Sequence, residues 1–306
     1  MRFLDANVFL RCWTGDDQAK AQACYDLFQR LGQGEDEAMT CEAVIAEVVY
    51  ILSRGFTSNS QIARRVTKNW AARNLFCIAC DADKLWPMPN NAVVSDFNCP
   101  NCSSKYQLKS KGGPFGLKVA NSEYSKKIAA IEQGNVPHYA FLQYLPVAPK
   151  LWLVRDVFVI PSHFFSRAVI EQRRALSHTA QRSGWVGSNI LLGNLPVDAR
   201  VAVVTGGQVR DRNEVRQKWR RFEFLASPGA RGGWGADVWS CVQRLRAETR
   251  STTFTLQAFY SRFVDELRAR YPENNNVDAK IRQQLQVLRD GGVLQFLGAG
   301  SYEIVQ

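Results

Sequence analysis

Cys77-Ile-Ala-Cys80, eighteen residues, Cys99-Pro-Asn-Cys102, and directly afterwards Lys105-Tyr-Gln-Leu-Lys-Ser-Lys111: this stretch decides how the chain is read. Each CxxC turn presents two sulfurs to one face of an ion. A spacing of fifteen to twenty residues between two such turns is that of a four-thiolate, structural Zn²⁺ site. Cys77, Cys80, Cys99 and Cys102 are therefore expected to form a closed metal knuckle, with the residues between them folded as a hairpin. Two redox dithiols are the weaker reading, because redox CxxC motifs rarely come as paired knuckles.

The chemistry lies between and just beyond the knuckles. Asp96 is expected at the end of an apolar strand (residues 92–97), and Gln107 stands eleven residues later on a second strand. Alternate side chains of a strand share a face, so Gln107 and Lys109 point together while Leu108 turns the other way. If the strands are neighbours, a carboxylate, an amide oxygen and an ammonium meet at one spot. Asp96, Gln107 and the Leu108 carbonyl could then hold Mg²⁺ or Mn²⁺, and Lys109 could orient a water or stabilise developing charge, as metal-assisted phosphodiester hydrolysis requires. Taken alone, the pattern D-x₁₀-QxK is weak, since any half-buried strand near an Asp can show it.

Outward from this centre the 306 residues divide into three blocks. Residues 1–54 carry five basic and nine acidic side chains and read as a short buried strand (residues 2–10), a helix over 18–31 and a second helix over 41–52. Residues 55–230 alternate apolar runs, at 105–111, 138–145, 151–160 and 200–205, with helical stretches such as 123–132, an α/β pattern. The Gly- and Pro-rich segment 227–233 then breaks the chain. Residues 231–306 read as helices over 238–246, 256–270 and 278–290, then a hairpin turned at Gly298–Gly300.

The formal charge is +11, yet the first block is net −4, so the later residues carry +15 and suit a polyanionic partner. No window approaches the roughly 18–20 apolar residues of a membrane span, and Asp5 interrupts the apolar start where a signal peptide would be uninterrupted; a cytoplasmic protein is expected. Cys12, Cys24, Cys41 and Cys241, each alone among apolar neighbours, are expected to be small buried hydrophobes.

In the last block a helical wheel over Ile281–Asp290 sends Ile281, Leu285 and Leu288 inward. Arg282, Gln283, Gln286 and Arg289 face out, and Gln can pair with adenine as Arg can with guanine or phosphate in the major groove. A merely wet amphipathic face is the bland alternative, outweighed by the preceding helix and the following Gly-turned hairpin. Lys111 is a further expected phosphate contact. Trp185, set among Gly, Ser and Arg in a loop-like stretch, is a candidate to stack on or wedge beside a base; a core Trp is the bland alternative.

From residue 57 to the end the chain resembles the DpnI-type family of methyl-directed restriction endonucleases. The resemblance is carried by SNSQIARRVTKNW (58–70), the paired knuckles, QLKSK (107–111), LSHTAQRSGWVGSNI (176–190), GGQVRD (206–211) and KIRQQLQVLRD (280–290). It implies a PD-(D/E)xK nuclease domain (55–230) followed by a winged helix (231–306), and a type II endonuclease that cuts double-stranded GATC sites carrying N6-methyl-adenine. The family motif falls on Asp96, Gln107 and Lys109. Gln107 is a departure, since the family has an acid there, and the loss of one negative charge is expected to weaken Mg²⁺ binding. Residues 1–53 resemble the opening of a PIN-domain ribonuclease, with Asp5 and Glu47 on two of its metal-binding acids; the rest of that fold is missing before the nuclease block, so no catalysis is expected there. No protein partner is required and a monomer is expected. The competing readings are a methyl-adenine reader without activity, favoured by Gln107, and a PIN-type ribonuclease toxin, favoured by the first block.

Overall fold

A carboxylate decides where the first helix starts. In the computed structural model of the chain, which describes residues 2–14, 17–48, 60–89, 95–148, 151–227 and 233–305, Asp5 Oδ1 accepts the N–H of Val8 at 3.1 Å. This is N-cap geometry. The expected buried strand over 2–10 is thereby corrected: β1 (Arg2–Phe3) is two exposed residues and α1 (Ala6–Thr14) follows at once. Ala6, Phe9 and Leu10 fall at helical spacing, and all three pack with Val44 and Val48, so the apolar run has the helical period and not the period of a strand.

The chain forms two compact units, Met1–Arg73 with Tyr144–Val154, and Asn74–Gln143 with Arg155–Gln306. In the first, α2 (Gln18–Gln33) starts at the cap of Asp17 and stops at Gly34, whose φ of 75° a residue with a side chain would resist. β2 (Ala38–Met39) pairs in parallel with β1, and α3 covers residues 42–48 of the expected second helix, whose remainder lies outside the described residues. α4 (Ser60–Asn74) follows. Of the four isolated cysteines only Cys241, in the second unit, is buried; Cys12 and Cys24 are half-buried and Cys41 is exposed, which corrects that expectation. α2 buries none of its side chains, so its apolar positions face little core.

In the second unit the strand order of the main sheet follows from the knuckle hairpin. β3 (Trp86–Pro87) and β4 (Phe97–Asn98) pair antiparallel, and β4 pairs antiparallel with β5 (Lys105–Gly112). β6 (Lys118–Glu123) and α5 (Tyr124–Glu132) then lead to β7 (His138–Ala148), which lies beside β5, with β8 (Leu151–Ile160) beyond it. β9 (Ile170–Ala175) and β10 (Val186–Leu191) join β6 in a separate three-stranded sheet. β11 (Val201–Thr205) and β12 (Gln208–Val209) finish the main sheet, whose order is β12-β11-β8-β7-β5-β4-β3. The expected strand over 92–97 is described only from Ser95, where Asp96 precedes β4; residues 90–94 lie outside the described residues.

α6 (Arg212–Arg220) is capped by Asp211, which accepts from the N–H groups of Asn213 and Glu214. α7 (Trp234–Thr249), β13 (Thr253–Thr255), α8 (Leu256–Arg270), α9 (Val277–Asp290), β14 (Leu294–Gly298) and β15 (Ser301–Ile304) form the last block. Its hairpin is widened by β13 to a three-stranded sheet, which periodicity missed because three residues are too few to show it. One continuous apolar core runs through the unit. Phe141 stacks on Phe158 at 5.0 Å, and Phe164, Phe222 and Trp239 hand the contact on to α7. Gly291 ends α9 against the ring of Phe224, leaving no room for a Cβ.

A buried histidine, His138, and a half-buried one, His163, make the core pH-sensitive. His138 Nδ1 accepts the N–H of Ser162 at 2.9 Å, which an imidazolium cannot do; burial pulls His138 down to about 4 and His163 to about 3. With both folded values below the unfolded value near 6.5, the contribution is complete above about pH 6.5 and is lost as pH falls toward 4. For His138 it is on the order of 3 kcal/mol. Urea midpoints should therefore drop between pH 7.5 and pH 5 with an unchanged slope, and equal midpoints at the two pH values would refute this account.

Candidate metal knuckle and reaction centre

Four sulfurs define the knuckle. The Sγ atoms of Cys77, Cys80, Cys99 and Cys102 all lie within 4.8 Å of one another, with Cys77–Cys102 at 3.6 Å and Cys80–Cys99 at 3.4 Å. A tetrahedral ion with metal–sulfur bonds near 2.3 Å needs sulfurs just under about 4 Å apart, so the donor set fits. Among the described residues this is the one such group of three or more His, Cys, Asp or Glu. Burial pushes the Cys77 thiol far up, whereas at Cys102 hydrogen bonds with Ser104 outweigh partial burial and bring the thiol down to about 7. Ion binding must therefore expel protons, and binding is linked to pH. The second turn closes through Cys99 N–H to Ser104 O (2.8 Å) and Ser103 N–H to Cys99 O (3.1 Å), with Ser103 held at φ 60°.

The knuckle is tied to β5 by one side chain. Tyr106, fully buried, accepts the N–H of Ile78 at 3.1 Å, and its hydroxyl lies 3.2 Å from Cys77 Sγ. With its oxygen already accepting, the hydroxyl proton is available to the sulfur. On the far side Arg216 donates to the carbonyls of Cys77 (3.3 Å) and Ala82 (3.4 Å), which braces the first turn with α6.

Because Tyr106 faces the core, its neighbours Gln107 and Lys109 share the opposite face of β5. Asp96 donates its N–H to Tyr106 O at 2.8 Å, and its Oδ2 accepts the N–H of Leu108 at 2.9 Å. A residue in a ladder turns its N–H and C=O to the same edge, so the Leu108 carbonyl also faces the Asp96 side. Lys109 Nζ reaches Ala120 O on β6 at 3.3 Å. Asp96, Gln107 and Lys109 are all half-buried, and Lys111 at the strand end is exposed.

Three residues that sequence reasoning missed complete this surface. Lys127 of α5 donates to Gln107 Oε1 at 3.3 Å and sits 5.3 Å from the centroid of the Tyr139 ring. Burial draws Lys127 down to about 8. Asn121 donates to the Tyr139 hydroxyl at 3.3 Å, and Tyr139 is raised by burial first and also by the charge of Asp96. Asp96 is thus electrically close to the same side chain whose hydroxyl Asn121 meets and whose ring Lys127 approaches. Nothing in the pair Lys126–Lys127 announced the difference between them: Lys126 pairs with Glu123 on the surface, and its neighbour, one helical step round, turns inward.

The other expected contacts lie elsewhere in the unit. Arg282, Gln283, Gln286 and Arg289 are exposed on one side of α9, while Ile281, Leu285 and Leu288 are fully buried. Arg282 donates to the Tyr260 hydroxyl at 2.9 Å, Gln283 accepts from Lys280 at 2.8 Å, and Arg289 pairs with Asp290. Trp185 is half-buried at the β9–β10 hairpin, its ring so close over Gly187 that an added Cβ would meet it at 2.7 Å. In the first unit Asp5 is spent as a helix cap, and Glu47 is exposed.

Three family models match the chain. Residues 47–228 match the model of the Dam-replacing family, and residues 230–304 match the Dam-replacing HTH domain. The chain belongs to the Dam-replacing family. A PIN domain also matches, over residues 2–86, so the PIN resemblance runs past residue 53 and overlaps the Dam-replacing match. The Dam-replacing and PIN families are both nucleases, and the HTH domain is a DNA-binding module. Among the described residues no helix is long and apolar enough to cross a membrane.

If Tyr106 couples the knuckle to β5, Tyr106→Phe should cost about 1–2 kcal/mol, the usual result of stranding a buried N–H. It should also speed metal release to a chromophoric chelator. Unchanged release and an unchanged melting temperature would show the hydroxyl to be idle.

Proposed function

We propose that this Dam-replacing protein is a PD-(D/E)xK, type II methyl-directed endonuclease that hydrolyses double-stranded DNA at GATC sites carrying N6-methyl-adenine. The single observation that carries the reading is the hydrogen bond from Leu108 N–H to Asp96 Oδ2. It draws the carboxylate onto the strand that displays Gln107 and Lys109. The resulting oxygens, from the Asp96 carboxylate, the Gln107 amide and the Leu108 carbonyl, are hard donors of the kind Mg²⁺ or Mn²⁺ takes. When bound there, such an ion would polarise the scissile phosphate and lower the pKa of a water. Asp96 would anchor the ion, Gln107 would orient it with a neutral oxygen, and Lys109 would hold the attacking water or the developing negative charge. Zn²⁺ in the four-cysteine knuckle would be structural, since four thiolates leave no open position.

Recognition would be shared between two surfaces. Gln283 and Gln286 would read adenine edges, with Arg282 and Arg289 on guanine or phosphate and Lys111 on the backbone near the cut. Trp185 would supply apolar surface to the methyl group, which projects into the major groove. The first unit is assigned no catalysis, because its Asp5 is a helix cap and its Glu47 belongs to no group of three or more His, Cys, Asp or Glu among the described residues.

Methylated and unmethylated plasmid and RNA, incubated with and without Mg²⁺ or Mn²⁺, test the reading on one gel. Cleavage of methylated GATC duplex alone is expected, and Asp96→Ala or Lys109→Ala should lower it about 100-fold or more. Gln107→Glu should lower the Mg²⁺ concentration needed. Cleavage of RNA would favour the PIN reading, and native silence with activity in Gln107→Glu would leave the chain a reader of methylated DNA. Separately, Trp185→Ala should erase discrimination between methylated and unmethylated duplex while the melting temperature holds; an unfolded variant would make Trp185 a core residue.

A further inference from the structure

Gln107 and Lys127 are best understood together. An acid at position 107 would place two carboxylates on this face of β5, enough negative charge to recruit two divalent ions. Here the side chain is neutral, and its oxygen accepts from an ammonium, Lys127 Nζ, at 3.3 Å. That ammonium is not a loose surface charge. Lys127 is half-buried, it lies 5.3 Å from the ring centroid of Tyr139, and Tyr139 itself is hydrogen-bonded to Asn121. A cation over an aromatic face is attracted by the ring quadrupole and held in place. Glu123, the last residue of β6, pairs instead with Lys126 and also accepts from Ser125.

The geometry points to Lys127 as a further residue of the reaction centre: its ammonium takes the place of a second divalent ion beside Gln107, so that the site works with one Mg²⁺, carried on Asp96. This rests on the endonuclease reading above. In the hydrolysis, the water oxygen forms a bond to phosphorus, the bond to one ester oxygen breaks, and the proton from water ends on the departing alkoxide or in solvent. No redox partner is needed. The negative charge that grows on the phosphoryl oxygens would be countered by an ion held on Asp96 and by Lys127, a positive charge in a partly desolvated place. Like charges a few ångströms apart repel, so the same ammonium disfavours a second ion beside the one that Asp96 and Gln107 would share.

Zinc-loaded full-length protein at pH 7 serves for the test, with Mn²⁺ binding followed by electron paramagnetic resonance and cleavage of methylated GATC duplex followed under single-turnover conditions. The native chain should bind one Mn²⁺ of catalytic affinity. Lys127→Met should bind Mn²⁺ several-fold more tightly yet cleave about 10–100-fold more slowly, and Lys127→Arg should keep most of the rate. The double variant Gln107→Glu with Lys127→Met should bind a second Mn²⁺, which Gln107→Glu alone binds weakly. Native-like rate and Mn²⁺ affinity in Lys127→Met would overturn the inference while leaving the endonuclease reading intact. Conversely, a native chain that cuts no DNA would sink that reading, and the Mn²⁺ stoichiometries would still decide the role of Lys127. Should Lys127→Met fail to fold, Lys127→Gln carries the same comparison.

Discussion

The Tyr106 hydroxyl fastens the first turn of the knuckle to the strand that carries Gln107 and Lys109. On one side it accepts from Ile78 and touches the Cys77 sulfur; on the other, its backbone is the ladder position at which Asp96 docks. A closed thiolate site is rigid because four bonds fix its ligands, and a side chain hydrogen-bonded inside it inherits that rigidity. Gln107 and Lys109, one and three residues further along the same strand, are positioned by the same constraint. Under the proposed function, a metal-bound knuckle would position the reaction centre without touching it.

Charge explains what the neighbours of that strand are for. A centre with one carboxylate, one amide and two ammoniums differs in kind from one with two carboxylates, because the balance of attraction between an ion and its protein ligands shifts by whole charges, not fractions of a hydrogen bond. The identity of position 107 and the inward turn of Lys127 belong to one arrangement. Neither is intelligible alone: a neutral amide reads as a lost acid, and a buried lysine reads as an unsupported cost.

The last block is joined to the nuclease part of its unit by more than a tether. Asp237 of α7 is buried and accepts from Ser166 and from Tyr271, and Arg270 pairs with it at 3.1 Å. Desolvation raises the Asp237 carboxyl, and the three partners together compensate the burial of its charge. Gly233, at φ 85° and directly against Ser166, lets the chain pass where any Cβ would collide. The exposed face of α9 is thus carried on a helix whose other face belongs to the common core.

Short-range chemistry was legible in the chain itself. Paired CxxC turns at metal-site spacing, strands 105–111 and 151–160, the helix ending at Arg270 and the outward set Arg282, Gln283, Gln286 and Arg289 all rest on local spacing, which backbone geometry converts directly into direction. The first strand failed because Ala6, Phe9 and Leu10 already carry the helical period and Asp5 caps the helix they form. The place of Lys127 beside Gln107, and that of Asn121 beside Tyr139, could be settled only by the tertiary structure. They depend on how α5 and β6 pack against β5, and packing brings together residues whose separation along the chain carries no periodic signal.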